Sequence, residues 1–154
     1  MDIIPNKVTL DFHFLLDSDK EIEKELIITR NFKLLADIEG ELEIDVDNRS
    51  FFSEKYFLLL EFGIELSKWL NKIKSDDVVD FSYETISFNE GPILEFIQSS
   101  EDSWRILSQW QKFECNYKIP QDVLMSSVEK LLAELESHFI KLYSLSMNDF
   151  LSQY

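Results

Sequence analysis

Two histidines, one cysteine and thirty carboxylates are the side chains of this 154-residue chain best suited to chemistry. His13, His138 and Cys115 could serve nucleophilic or acid–base work, but they are far apart in sequence and a Cys–His pair needs contact in space. Neither histidine has a second His or a Cys at metal-ligand spacing. Gly40, Gly63 and Gly91 are isolated, so there is no glycine-rich loop to cradle a phosphate. Asp45, Asp47 and Asn48 superficially resemble the start of a calcium loop, yet the glycine and closing glutamate of that loop are absent. Nothing in the spacing selects a carboxylate pair for glycoside hydrolysis. The inventory predicts a protein that is not an enzyme and that uses no cofactor and no metal.

The arrangement of the carboxylates carries more information. Asp37, Glu39, Glu41, Glu43, Asp45 and Asp47 alternate with Ile38, Gly40, Leu42, Ile44 and Val46 over eleven residues. Side chains on a strand point alternately to opposite faces, so this pattern predicts a strand over 37–47 with six carboxylates in one row, roughly 7 Å apart. Neighbouring charges at that spacing repel by roughly 0.6 kcal/mol in water, less with salt. Lysines across the ladder, such as Lys7, Lys24 or Lys33, could offset part of that repulsion and leave the row as the solvated face of a strand. The sharper reading is a docking surface for a cationic partner, with Trp104, Trp110, Tyr56 and Tyr83 as candidate anchors beside it. Asp76, Asp77 and Asp80 form a smaller acidic group at a connection.

These residues need a scaffold, and composition predicts one. Hydrophobic residues make up 45% and aromatics 14%, with thirteen Phe, too apolar for a disordered acidic tail. The length suits one domain spanning 1–154. A formal net charge of −15 opposes binding to nucleic acid or to anionic membranes and favours basic proteins. One cysteine cannot form an internal disulfide, no run approaches the length of a membrane span, and no basic, apolar leader opens the chain. A cytoplasmic protein is expected.

Alternation at Val8, Leu10, Phe12, Phe14 and Leu16 predicts a first strand, turned by residues 17–20. Residues 21–35 are ambiguous: EIEKEL could start a helix, but the alternation of Glu21, Glu23 and Glu25 favours a strand through Ile27, Ile28 and Thr29. Gly40 marks either a bulge or a tight turn that splits the acidic row. Leu59, Phe62, Leu66, Trp69 or Leu70, and Ile73 predict a helix over 54–73 with Ser53 as its N-cap. Strands follow at 79–87, 93–98 and 104–110, the first two joined by a turn at Asn89–Pro92. Pro120 opens a second helix over 121–143, with the stripe Leu124, Val128, Leu131, Leu135, Phe139 and Leu142. The expected fold is α+β, an antiparallel sheet of about five to seven strands with two main helices on one face.

The segments YFLLLEFGIELSKWL at 56–70 and SWRILSQWQKFECN at 103–116, with Trp104, Ile106, Trp110 and then Phe113, Glu114 and Cys115, resemble small bacterial immunity proteins of polymorphic and contact-dependent toxin systems. The resemblance implies an antidote that binds a toxin domain and occludes its active site. The acidic charge points to a basic, nuclease-like toxin as that partner. A generic acidic adaptor or oligomer subunit would share the composition and is the alternative; its oligomeric state is open.

Overall fold

A computed structural model describes residues 8–85 and 91–151. The architecture is α+β, but the seven strands among the described residues form two antiparallel sheets rather than the single sheet expected. The first contains β1 (Leu10–Leu16), β2 (Gly40–Val46) and β3 (Arg49–Phe57) in the order β1-β2-β3. The second contains β4 (Phe81–Tyr83), β5 (Leu94–Ser100), β6 (Ser103–Ser108) and β7 (Ile119–Pro120), again in chain order. Two long helices, α3 (Leu59–Lys74) and α4 (Gln121–Tyr143), pack against each other. α4 also lies against β1, β6 and β7, and α3 against β4. Short helices α1 (Lys24–Thr29), α2 (Leu34–Asp37) and α5 (Asn148–Leu151) complete the order.

The buried residues of both sheets and both long helices form one hydrophobic cluster. Aromatic rings hold its centre. Trp69 of α3 meets Phe96 and Trp104 edge-on, each with ring centroids 5.5 Å apart, while Phe57 of β3 meets Phe62 at 5.1 Å and Tyr83 at 5.3 Å. Edge-to-face pairs at this spacing add about 0.5–1.5 kcal/mol beyond area burial. Trp104 and Tyr83 are therefore core residues and not surface anchors. Phe12 of β1 reaches Phe96 of β5, which joins the inner faces of the two sheets directly.

Several elements differ from the sequence reading. Residues 24–29 are helical: Ile22, Leu26 and Ile27 pack on the core, two of them spaced by four, and this outweighs the alternation of the glutamates. Arg30 ends that helix in the left-handed region (φ 52°), its guanidinium bonded to Asp149 and to the carbonyls of Ile27 and Ser144. α3 starts at Leu59, because Phe51 to Phe57 complete β3 first, so Ser53 lies in a strand and not at a helix N-cap. Residues 59–73 keep the expected stripe, and all of Leu59, Phe62, Leu66, Trp69, Leu70 and Ile73 are buried. α4 spans the expected residues, but Leu142 is exposed; the buried stripe ends at Phe139. Beyond it, the Glu136 carboxylate accepts bonds from the Ser146 hydroxyl and the Met147 N–H, fastening the chain as it leaves the helix. Residues 86 and 87 of the predicted strand, Asn89 and Glu90 of its turn, and Lys7 lie outside the described residues.

Candidate acidic sheet face

β2 is shorter than the alternation implied. Leu42, Ile44 and Val46 are fully buried, and Ile38 and Gly40 are buried ahead of them, so every even residue of the pattern points inward. The carboxylates Glu41, Glu43 and Asp45 point to the other face, with Glu39 just before the strand. Asp37 does not belong to the row. It ends α2 and pairs with Lys33 at 3.1 Å one helical turn away, because the buried Leu34 draws this segment into a helix. Asp47 leaves the row at the other end, in the two-residue turn Asp47-Asn48, where both residues have positive φ (52° and 65°). Such a turn matches the twist of a hairpin and suits Asp and Asn.

Strand pairing adds residues that the linear pattern could not show. β1 runs antiparallel to β2 with Asp11 opposite Asp45, His13 opposite Glu43 and Leu15 opposite Glu41. The outward face therefore carries Asp11 beside Asp45, a like-charge pair across the ladder. His13, with its side chain 60% exposed, places Nε2 3.4 Å from Asp45 Oδ2 and supplies the cationic group nearest the middle of the row when protonated. Ser50 of β3 donates to Glu43 at 3.1 Å, and Lys20 pairs with Glu39 at 3.3 Å. Of the lysines expected to offset the row, Lys24 lies on α1 and Lys33 pairs with Asp37. At the Gly40 end, Leu15 (66% exposed) and Tyr56 (77% exposed) share a shallow depression with Glu41 and Lys55. This places Tyr56 beside the row as expected, whereas Trp110 stacks on Phe52 at 6.4 Å.

Burial pushes the Asp45 carboxyl above its ordinary value, Glu43 and Asp11 push in the same direction, and His13 opposes them. A carboxyl that binds its proton more tightly folded than unfolded stabilises the fold in acid, and that contribution is lost as pH rises through the raised value. Asp45→Asn should therefore be more stable than the parent at pH 7, by roughly 0.5 kcal/mol after loss of the His13 contact. The two proteins should converge below the ordinary aspartate range, near pH 3. Urea denaturation at both pH values checks this; a less stable variant at pH 7 would mean that the His13 pair outweighs the repulsion.

The catalytic candidates are not assembled. Cys115 is buried, and burial pushes its thiol upward, away from the thiolate a nucleophile needs. His138 packs edge-on against Phe14 and bonds the Glu134 carbonyl through Nδ1. No hydrogen bond joins any two of His13, His138 and Cys115 among the described residues. Among those residues, too, no group of three or more His, Cys, Asp or Glu is placed to hold a metal ion, and no helix is long and apolar enough to cross a membrane.

The sheet face and the core behind it lie inside a known family. Residues 12–141, from β1 through most of α4, match the domain of unknown function DUF7878, and the chain belongs to that family. No curated protein and no solved structure matches the chain.

Proposed function

We propose that this protein works by binding, as an acidic docking partner that covers a basic protein through the outward face of β1–β2, and that the covered partner is a toxin domain whose active site is occluded. The observation that carries the reading is the predominance of carboxylates on that face. Asp11, Glu41, Glu43 and Asp45 share one side of a rigid sheet, with His13 interspersed and Lys55 and Lys130 at its margins, on a chain of net charge −15. Negative charge held on a rigid surface steers a cationic cleft toward it and raises the association rate, by about 10- to 1,000-fold in strongly steered pairs. Leu15 and Tyr56 at one end supply the exposed apolar area that a charged face lacks. The resemblance to immunity proteins supports the antidote reading.

The test begins with proteins retained by the immobilised chain at low salt and released at about 0.5 M salt. The purified basic protein is then mixed with the chain in stopped flow. Glu41→Lys combined with Glu43→Lys should slow association at least tenfold at low salt and flatten its salt dependence, with folding intact. Co-expression should also relieve any growth defect caused by the retained protein. An unchanged association rate reduces the row to a solvated sheet face, and a retained protein that is harmless removes the antidote reading.

A further inference from the structure

The three-stranded sheet has two edges, and they are treated differently. Along β1, α4 covers the edge: the Ser127 hydroxyl donates to the Leu10 carbonyl at 2.6 Å, and the His138 ring packs on Phe14. Along β3, cover stops early. The Asp47 N–H donates to Thr9 and the Asp17 N–H to Glu39, so odd residues of β2 turn their backbone groups toward β1 and even ones toward β3. Glu43 thus bonds toward β1, and its β3 partner Ser53 turns its N–H and C=O outward. Phe51 fits the same parity, since its carbonyl faces out and accepts the Lys112 N–H at 2.8 Å. Beyond that bond, no group among the described residues bonds the outward backbone of Ser53 or Lys55. Both side chains are exposed.

From this geometry we propose that β3 is a strand-addition site: a short extended segment of a basic partner pairs with the edge at Ser53–Lys55 and lays its Lys or Arg side chains over Glu43 and Glu41. The proposal rests on the acidic-face reading for the charge of the occupant, and adds the mode by which it is held. Edge backbone groups supply affinity, and alternate side chains supply selectivity. Charge complementarity selects the occupant. A second copy of this chain would bring another −15, whereas a basic strand places its cations on the side of the sheet where Glu43 faces Ser53. Register irregularities near Phe51 and between Glu54 and Phe57 limit the regular edge to Phe52, Ser53 and Glu54, with Lys55 at its margin, so the added segment is short. An exposed lysine on an edge strand discourages casual pairing, and Lys55 disfavours a cation directly opposite it.

The test uses an eight-residue synthetic peptide of alternating lysine and valine, and the same peptide N-methylated on alternate residues in each of the two phases, with binding to the full chain followed by fluorescence anisotropy. N-methylation in the edge-facing phase should weaken binding at least tenfold, about the worth of one lost hydrogen bond. Ser53→Pro should do the same and Ser53→Ala should not, since the Ser53 N–H carries no bond to β2 and the ladder survives proline there. Equal binding by the parent and both methylated peptides overturns the proposal, even if Ser53→Pro fails to fold. So does absence of binding by the parent peptide at about 1 mM. The Glu41→Lys, Glu43→Lys protein separates the two readings. Loss of binding there with indifference to methylation and proline leaves the acidic face and removes strand addition. The reverse pattern leaves strand addition and removes the electrostatic reading.

Discussion

Gly40→Ala is expected to cost about 3 kcal/mol of stability, at the upper end of what overpacking does in a well-packed site. A Cβ added at Gly40 would sit 2.3 Å from the Leu15 carbonyl oxygen and 2.8 Å from Leu16 Cα. Both are backbone atoms, so no side-chain rotation relieves the clash and β1 has to move away from β2. The irregular step in β2–β3 register follows immediately, where Gly40 pairs with Phe57 and Leu42 with Glu54. The close approach and the irregularity both fall at the end of the sheet where Leu15 and Tyr56 are exposed. Urea denaturation should show a lower midpoint with little change in slope. A loss below about 1 kcal/mol would mean that the strands separate there at little cost.

Trp104→Ala should be more damaging, by about 4 kcal/mol, in the range for deleting a large aromatic from a core. Trp104 is fully buried, meets Trp69 edge-on at 5.5 Å, and donates its indole N–H to Gln121 Oε1 at 3.2 Å. The cavity would open between β6 and the two helices, and Gln121, the first residue of α4, would lose its partner. Trp104→Phe should recover about half of the loss, because it refills most of the volume but leaves Gln121 unpaired. Thermal unfolding of the pair measures this. Similar melting temperatures for parent and Trp104→Ala would show that the sheet-to-helix contact is not central to the core.

The elements with one dominant period were readable in the chain. The stripe from Leu124 to Phe139 placed α4, and alternation from Leu42 to Val46 placed the buried side of β2. Misreadings fell where two patterns competed. Glu21, Glu23 and Glu25 alternate like a strand while Ile22 and Leu26 are one helical turn apart, and helix won because its apolar side could reach the core. Leu142 continued the stripe in sequence, but it is exposed at the last turn of α4. The helix was expected from residue 54, yet residues 54–57 complete β3 against β2. Division into two sheets left no local signal, since each strand pair is ordinary by itself and the break falls between β3 and β4, on either side of α3 in the chain.

The candidate face was legible only along one dimension. Alternation identified Glu39, Glu41, Glu43 and Asp45, but Asp11 and His13 joined them through the pairing of strands some thirty residues apart, which no spacing rule reports. Asp37 and Asp47 were lost to a helix end and a turn. The open edge at Ser53 depends on hydrogen-bond parity, and parity is set by register and not by residue type.

The meander order of both sheets bears on how the molecule reaches this form. In β1-β2-β3 and in β4-β5-β6-β7, every ladder joins strands consecutive in the chain. Loop-closure entropy is therefore low for the tight hairpins β2–β3 and β5–β6 and higher for β1–β2, whose connection holds α1 and α2. The hairpin of β2 and β3, closed by Asp47-Asn48, is the shortest circuit in the first sheet and the natural place for its structure to begin. If the packing of α3 against α4 forms after these hairpins, core substitutions at that junction should chiefly accelerate unfolding and leave the refolding rate nearly unchanged, which stopped-flow refolding and unfolding rates would measure.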